Sequence, residues 1–215
     1  MNAQLSDVEV RILGCLIEKE ATTPDNYPLS LNALTAACNQ LSNREPVMSL
    51  GEDQVKWAVN SLRQQSLVRA IQPSDARVMK FQHLVTEKLN LDQAARAVLC
   101  VLMLRGPQTL GEIKTRSNRI ADFATLADVE TAVNGLISRD LAAEVARRPG
   151  QKEARFVQLL SAPPSEAPAP GDGADLAVPE PRRDRIGELE ASVDALRGEL
   201  AELRARFDEF TRQFS

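Results

Sequence analysis

The stretch VKWAVNSLRQQSL at residues 55–67 recurs as VETAVNGLISRDL at residues 129–141. In both stretches the apolar residues lie three or four positions apart, which is the spacing of one buried face of an α-helix. Six positions are identical, namely Val55, Ala58, Val59, Asn60, Leu62 and Leu67, which return as Val129, Ala132, Val133, Asn134, Leu136 and Leu141. Such a recurrence predicts two copies of one structural unit.

The repeat extends upstream of this helix. Residues 30–39 (SLNALTAACN) align with residues 109–118 (TLGEIKTRSN), and the apolar run Val10–Ile17 aligns with Ala95–Leu102. Ser6 and Glu9 have the spacing of a capping box, so we expect the first helix to begin there. Each copy therefore contains three predicted helices.

Two strand-like segments follow the third helix in each copy, at residues 67–71 and 78–82 and again at 141–145 and 154–159. Turn-forming residues separate the two segments, which predicts a β-hairpin. Three helices followed by a hairpin are typical of the winged helix-turn-helix. The predicted fold is mainly α with small β-hairpins: two tandem winged helix-turn-helix domains, residues 1–90 and 91–161, plus a C-terminal coiled-coil helix.

Residues 162–182 contain six prolines and no apolar face, so we expect a disordered linker there. Residues 183–215 then carry apolar residues in alternating steps of three and four, which predicts a coiled coil and a homodimer. A helix that folds back onto its own domains is the alternative. The predicted dimerisation residues are Ile186, Leu189, Val193, Leu196, Leu200, Leu203, Phe207 and Phe210.

The net charge of −4 is unevenly distributed along the chain. Residues 1–90 carry 9 basic and 10 acidic side chains, residues 91–161 carry 10 and 8, and the remainder carries 7 and 12. The acidity therefore belongs to the tail, and the nearly neutral remainder permits DNA binding without indicating it. The sequence has no apolar run of about 20 residues and no signal-like start, so we expect a cytoplasmic protein without membrane contact.

The residues that could perform chemistry are few and scattered. Cys15, Cys38 and Cys100 form no metal-spaced pair, and His83 is the single histidine. We interpret the cysteines as buried apolar residues and His83 as structural or surface-exposed. Gly-rich phosphate loops and nucleophile elbows are missing from the sequence. A protein that is not an enzyme, with no cofactor and no metal, is expected.

Polar and basic residues of the first copy indicate where a nucleic acid or another partner could bind. The third helix should expose Lys56, Asn60 and Arg63, which can contact phosphates or base edges. The predicted wings and the loop before the third helix add Asn43, Arg44, Arg77, Lys80, Arg147, Arg148 and Lys152. We therefore expect a DNA-binding, transcription-regulatory dimer. The alternative is an adaptor whose paired winged helices dock another protein.

A long motif connects the chain to a known group of bacterial proteins. Residues 23–34 read TPDNYPLSLNAL, followed by ACNQ at residues 37–40 and SNREPV at residues 42–47. With the segment at residues 5–21, these stretches resemble the YceH-like family over residues 5–160. The resemblance implies a tandem winged-helix structure and supplies no ligand or catalytic residue. If the loop is functional, the first copy holds the function; alternatively, Asn39 and Tyr27 only fix the loop.

Overall fold

The computed structural model describes residues 4–72, 78–145 and 153–161. Within these ranges the protein is mainly helical, with small antiparallel sheets. The predicted linker and the predicted coiled coil, including every proposed dimerisation residue from Ile186 to Phe210, lie outside the described residues. The two hairpin turns, with Arg77, Arg147, Arg148 and Lys152, also lie outside them.

The order of three helices and two antiparallel strands occurs twice among the described residues. The first copy consists of α1 (Asp7–Thr22), β1 (Leu29–Ser30), α2 (Leu31–Cys38), α3 (Glu52–Gln64), β2 (Val68–Ile71) and β3 (Lys80–His83). A short helix, α4 (Val85–Lys88), leads to the second copy, which consists of α5 (Gln93–Arg105), α6 (Leu110–Ser117), α7 (Leu126–Ile137), β4 (Ala142–Val145) and β5 (Arg155–Gln158).

Side-chain caps determine where several of these helices begin. At the start of α1, the Glu9 N–H donates to Ser6 Oγ at 3.3 Å, and the Ser6 N–H donates to Glu9 Oε2 at 2.7 Å. Thr109 with Glu112 forms the same reciprocal box at α6. Each box satisfies two backbone groups that a helix end leaves without partners, so the local sequence fixes these boundaries.

The sheets contain one strand that the sequence analysis missed. Strand β3 lies between β1 and β2 in a three-stranded antiparallel sheet, with Leu29 opposite Phe81 and Val68 opposite His83. In the second copy, β4 and β5 form a two-stranded sheet, and a single bridge between Gln108 and Phe156 replaces the third strand. The β1 pairing connects the start of α2 to the hairpin.

The two copies lie within one compact unit, Met1–Glu166, and share a hydrophobic core. Helix α1 packs against α5, and the Cys100 thiol approaches the Gly14 carbonyl oxygen at 3.4 Å. The first segment of the chain also reaches the end of the second copy, where the Leu5 N–H donates to the Leu160 oxygen at 2.8 Å. The domain boundaries at residues 90 and 161 stay predictions.

Of the helices in the described part of the chain, none combines the length and the apolar character that crossing a membrane requires.

Candidate nucleic-acid interface

The outer face of α3 carries the polar residues that the sequence analysis selected. Val55, Val59 and Leu62 are buried on the opposite face, which packs against α1 and α2. Because of this packing, the side chains of Lys56, Asn60 and Arg63 are exposed to solvent. Helix α3 therefore presents its donors outward because its apolar stripe is fixed to the core.

The cationic groups on this face are not neutralised by carboxylates of the described residues. Arg63 donates from Nη1 to Asn60 Oδ1 at 3.2 Å, within the same helix face. Lys56 makes no hydrogen bond or ion pair within residues 4–72, 78–145 and 153–161. Glu52 and Asp53 are exposed at the start of α3, where they favour the helix dipole and would repel a phosphate. The two carboxylates therefore lie in the first turn of α3, and Lys56 and Arg63 follow them along the helix.

Trp57 is a surface residue that the sequence analysis did not select. Its side chain lies on α3 and is 77% exposed. The apolar stripe could have revealed it, because a residue two positions after Val55 points away from the buried face. Val78 and Met79, just before β3, are also exposed. Trp57 makes the outer face of α3 partly apolar, which bears on the choice between a DNA and a protein ligand.

Arg44 was expected from the sequence to lie on a polar loop that is accessible to a ligand. Instead, its side chain lies in the protein interior. Its Nη2 donates to Glu18 Oε2 at 2.6 Å and its Nη1 to Glu18 Oε1 at 3.2 Å. Its Nε donates to the Ala37 carbonyl oxygen at 3.1 Å. The side chain is 0% exposed, so its guanidinium serves to hold the loop onto α1 and α2.

Asn43, beside it, is exposed and adopts a left-handed backbone conformation with φ of 61°, which Asn tolerates better than most residues. Its Oδ1 accepts a hydrogen bond from Arg105 Nη2. At the start of the same loop, the Asn39 side chain donates to the Leu50 carbonyl oxygen and accepts from the Leu50 N–H, both at 2.8 Å. Asn39 therefore fixes the loop that leads into α3.

The remaining residues selected from the sequence are dispersed. Lys80 begins β3 opposite Ile71 and is half-buried. In the second copy, Arg155 is bonded to Glu112 Oε2 at 3.0 Å, so its charge is partly compensated. The outer face of α7 exposes Glu130 where α3 has Lys56. Only the first copy therefore brings uncompensated cations onto its third helix.

His83 belongs to a buried network that joins the two copies. Its Nε2 lies 3.0 Å from Glu20 Oε2, which also accepts a bond from Arg96 Nη1 of α5 at 2.9 Å. Burial lowers the pKa of His83, and the opposing attraction of Glu20 does not restore it. The Tyr27 hydroxyl oxygen accepts a hydrogen bond from the backbone N–H of His83 at 2.8 Å. The structural interpretation of His83 therefore agrees with its position.

The three cysteines are free and buried. Burial raises the pKa of the Cys100 thiol well above its usual value, which disfavours the nucleophilic thiolate. Among the described residues, no group of three or more His, Cys, Asp or Glu side chains has a geometry that could hold a metal ion.

The described residues thus form a mainly helical protein with small antiparallel sheets and a polar, partly apolar third-helix surface. The chain belongs to the family described as "Protein of unknown function, DUF480", whose model matches residues 5–151. The predicted resemblance to the YceH-like family is consistent with this membership.

Several bacterial relatives match nearly the whole chain. UPF0502 protein GSU0233 of Geobacter sulfurreducens is 48% identical, with 100% of both chains covered. UPF0502 protein HEAR1280 of Herminiimonas arsenicoxydans is 45% identical over 95% of this chain and 88% of the relative. UPF0502 protein VV2_0756 of Vibrio vulnificus is 44% identical over 95% and 97%, respectively. None of these names states an activity or a ligand.

Proposed function

We propose that the protein binds double-stranded DNA through the outer face of α3 and acts as a transcription-regulatory dimer of tandem winged-helix subunits. The observation that carries this proposal is the cluster of Lys56, Asn60 and Arg63, exposed and without a carboxylate partner among the described residues. In winged helices the third helix enters the major groove, and the hairpin contacts the backbone. Asn and Arg can then read base edges, while Lys contacts phosphate.

The two copies offer a matched test, because Asn60 and Asn134 occupy equivalent positions on α3 and α7 and both are exposed. Fluorescence anisotropy with labelled genomic fragments would measure the dissociation constant over a salt series. We expect Asn60→Ala to weaken specific binding by about 1–3 kcal/mol, the value of one good base contact. Asn134→Ala should leave the affinity unchanged, because α7 carries Glu130 beside it.

The salt dependence separates phosphate contacts from base contacts. Each released counterion contributes to the slope of log affinity against log salt, so Lys56→Ala should reduce that slope by roughly 1. Wild-type protein that fails to bind any genomic fragment at low salt would remove the DNA proposal.

Dimerisation through residues 183–215 is the second part of this proposal. Four heptads with apolar first and fourth positions favour two paired helices. Sedimentation equilibrium of the full chain should give twice the monomer mass. Replacement of Leu196 and Leu203 by Glu should return the monomer, because charges at core positions of a coiled coil lose their solvation. A helix that folds back onto its own chain would instead give a monomer for the unmodified protein.

A protein-docking adaptor is the second candidate function, and the exposure of Trp57 favours it. Tryptophan is among the residues that most often anchor protein interfaces, because a large ring is withdrawn from water. Trp57 is the single tryptophan, so its fluorescence reports on this surface alone. If DNA binds without changing the tryptophan emission, Trp57 is not part of the DNA contact and its exposed side chain is available to a protein partner. A partner captured by the wild type should then be lost with Trp57→Ala and kept with Thr131→Ala, the equivalent position on α7.

A further inference from the structure

A cleft of about 470 Å³ opens beside the C-terminal end of α1. None of the residues that line it belongs to α3. Glu18 and Lys19 of α1, the loop residues Gln40, Ser42 and Asn43, and Arg119 after α6 are among the residues that line it. Its walls therefore come from both copies of the repeat. The volume lies within the range of small-molecule sites in proteins.

The residues that line the cleft include two cationic side chains and one carboxylate. Arg119 is exposed and makes no hydrogen bond or ion pair with any residue that the structure describes. Lys19 Nζ lies 3.5 Å from Glu18 Oε2, but both oxygens of that carboxylate already accept bonds from Arg44. The Glu18 carboxylate is therefore shared between Arg44 and Lys19, and Arg119 has no carboxylate partner among the described residues.

Arg105 adds a cation next to Asn43, one of the residues that line the cleft. The Arg105 guanidinium has one hydrogen bond among the described residues, which goes to the neutral side chain of Asn43. Burial and repulsion from Arg116 and Arg44 lower its pKa, against the attraction of Glu45. Of the charged residues that line the cleft, Lys19 and Arg119 are cationic, and the single carboxylate, Glu18, is already paired with the buried Arg44. An anion from outside would relieve this excess.

Beside the Glu18 carboxylate, the cleft wall also offers hydrogen-bond donors. Gln40 Oε1 accepts from both Lys19 Nζ at 3.3 Å and Arg44 Nη2 at 3.0 Å, which leaves the amide NH₂ group of Gln40 to donate. Ser42 supplies a hydroxyl without a partner among the described residues. The cleft has no aromatic wall on which a base could stack, and Leu41, at its edge, is 84% exposed.

We propose that this cleft binds a phosphate group between Lys19 and Arg119, with Gln40 and Ser42 as additional donors. Arginine presents a planar set of N–H donors that matches phosphate oxygens, and lysine adds a point charge. The phosphate belongs either to a small polar metabolite or to a nucleic-acid backbone. The proposal does not depend on the α3 surface, because no residue is shared between the two.

Isothermal titration of the full chain with inorganic pyrophosphate tests the site directly. We expect saturable binding that Arg119→Ala weakens about ten-fold or more, since one charge-assisted contact is lost. Arg119→Lys should retain most of the affinity because it keeps the charge. Arg69→Ala, which removes an exposed arginine of β2 outside the cleft, is the matched control and should bind like the wild type. Arg119 makes no internal bond, so its variants should melt at the wild-type temperature.

A second arm identifies the source of the phosphate. Duplex DNA replaces pyrophosphate in the same titration series, with Arg119→Ala compared with wild type. Loss of pyrophosphate affinity alone assigns the site to a small ligand, and loss of DNA affinity alone assigns it to the nucleic-acid backbone. If Arg119→Ala and Arg69→Ala behave alike toward both probes, or if neither probe binds the wild type, the proposal is overturned. Asn60→Ala affects only the α3 proposal.

Discussion

Replacement of Arg44 by Ala should destabilise the protein strongly, because it leaves the largely buried Glu18 carboxylate with the more distant Lys19, at 3.5 Å, in place of its main partner. The variant loses two bonds to Glu18, at 2.6 and 3.2 Å, and abandons the carbonyl oxygen of Ala37. Removal of one member of a buried ion pair costs about 3–5 kcal/mol. The Glu18 side chain is 16% exposed, so water can reach it and the lower end of that range applies.

A loss of about 3 kcal/mol corresponds to a fall in melting temperature of roughly 6–12 °C for a unit of this size. Urea denaturation at pH 7 measures the free energy of unfolding, with exposed Arg69→Ala as a control that should stay within about 0.5 kcal/mol of the wild type. The double variant Glu18→Gln, Arg44→Ala should be more stable than Arg44→Ala, because the carboxylate that lost its main partner is gone.

The same ion pair predicts a pH dependence. Burial alone would raise the pKa of Glu18, but the hydrogen bond and charge of Arg44 outweigh it and hold that pKa below its usual value. A carboxyl group with a lowered pKa in the folded state stabilises the protein above its unfolded pKa, and this contribution is lost as the pH falls through the folded pKa. The gap between wild type and Arg44→Ala should therefore narrow in acid. A gap below about 1 kcal/mol at pH 7 would refute the reasoning.

Three further predictions concern the core. Gly14→Ala should lower the free energy of unfolding by about 1–3 kcal/mol, because the new Cβ would lie 2.8 Å from Leu104 Cδ2 at the contact between α1 and α5. An unchanged midpoint of urea denaturation would contradict this packing. The lowered pKa of His83 means that the folded state resists protonation of this side chain, so stability should fall as the pH drops below about 6.5. Melting temperatures measured over this pH range should fall less steeply for His83→Gln than for the wild type. A thiol reagent such as Ellman's should label none of the three buried cysteines in the native protein and all of them in urea; rapid native labelling would count against their burial.

The sequence was sufficient to predict elements whose signals are local. The capping box of Ser6 and Glu9 and the stripe of Val55, Val59 and Leu62 gave the start of α1 and the buried face of α3. Both signals depend on side chains within one or two turns, so no knowledge of the tertiary structure is needed.

Features that depend on distant contacts could not be predicted in this way. Strand β1 has two residues and no periodicity, and it exists because Leu29 pairs with Phe81. Arg44 lies in a polar loop, and its burial follows from Glu18, which is 26 positions earlier. Trp57 is different, because its place off the buried stripe could have indicated exposure from the sequence alone.

The contact between α1 and α5 has a consequence for how the two copies of the repeat stay together. The two copies face each other as the halves of a dimer would, yet they are encoded on one polypeptide and meet through an internal contact that the Gly14 backbone allows. Each half therefore always has its counterpart at a high effective concentration, whatever the amount of protein in the cell. Dilution should therefore leave the contact between α1 and α5 intact, because both helices belong to the same chain.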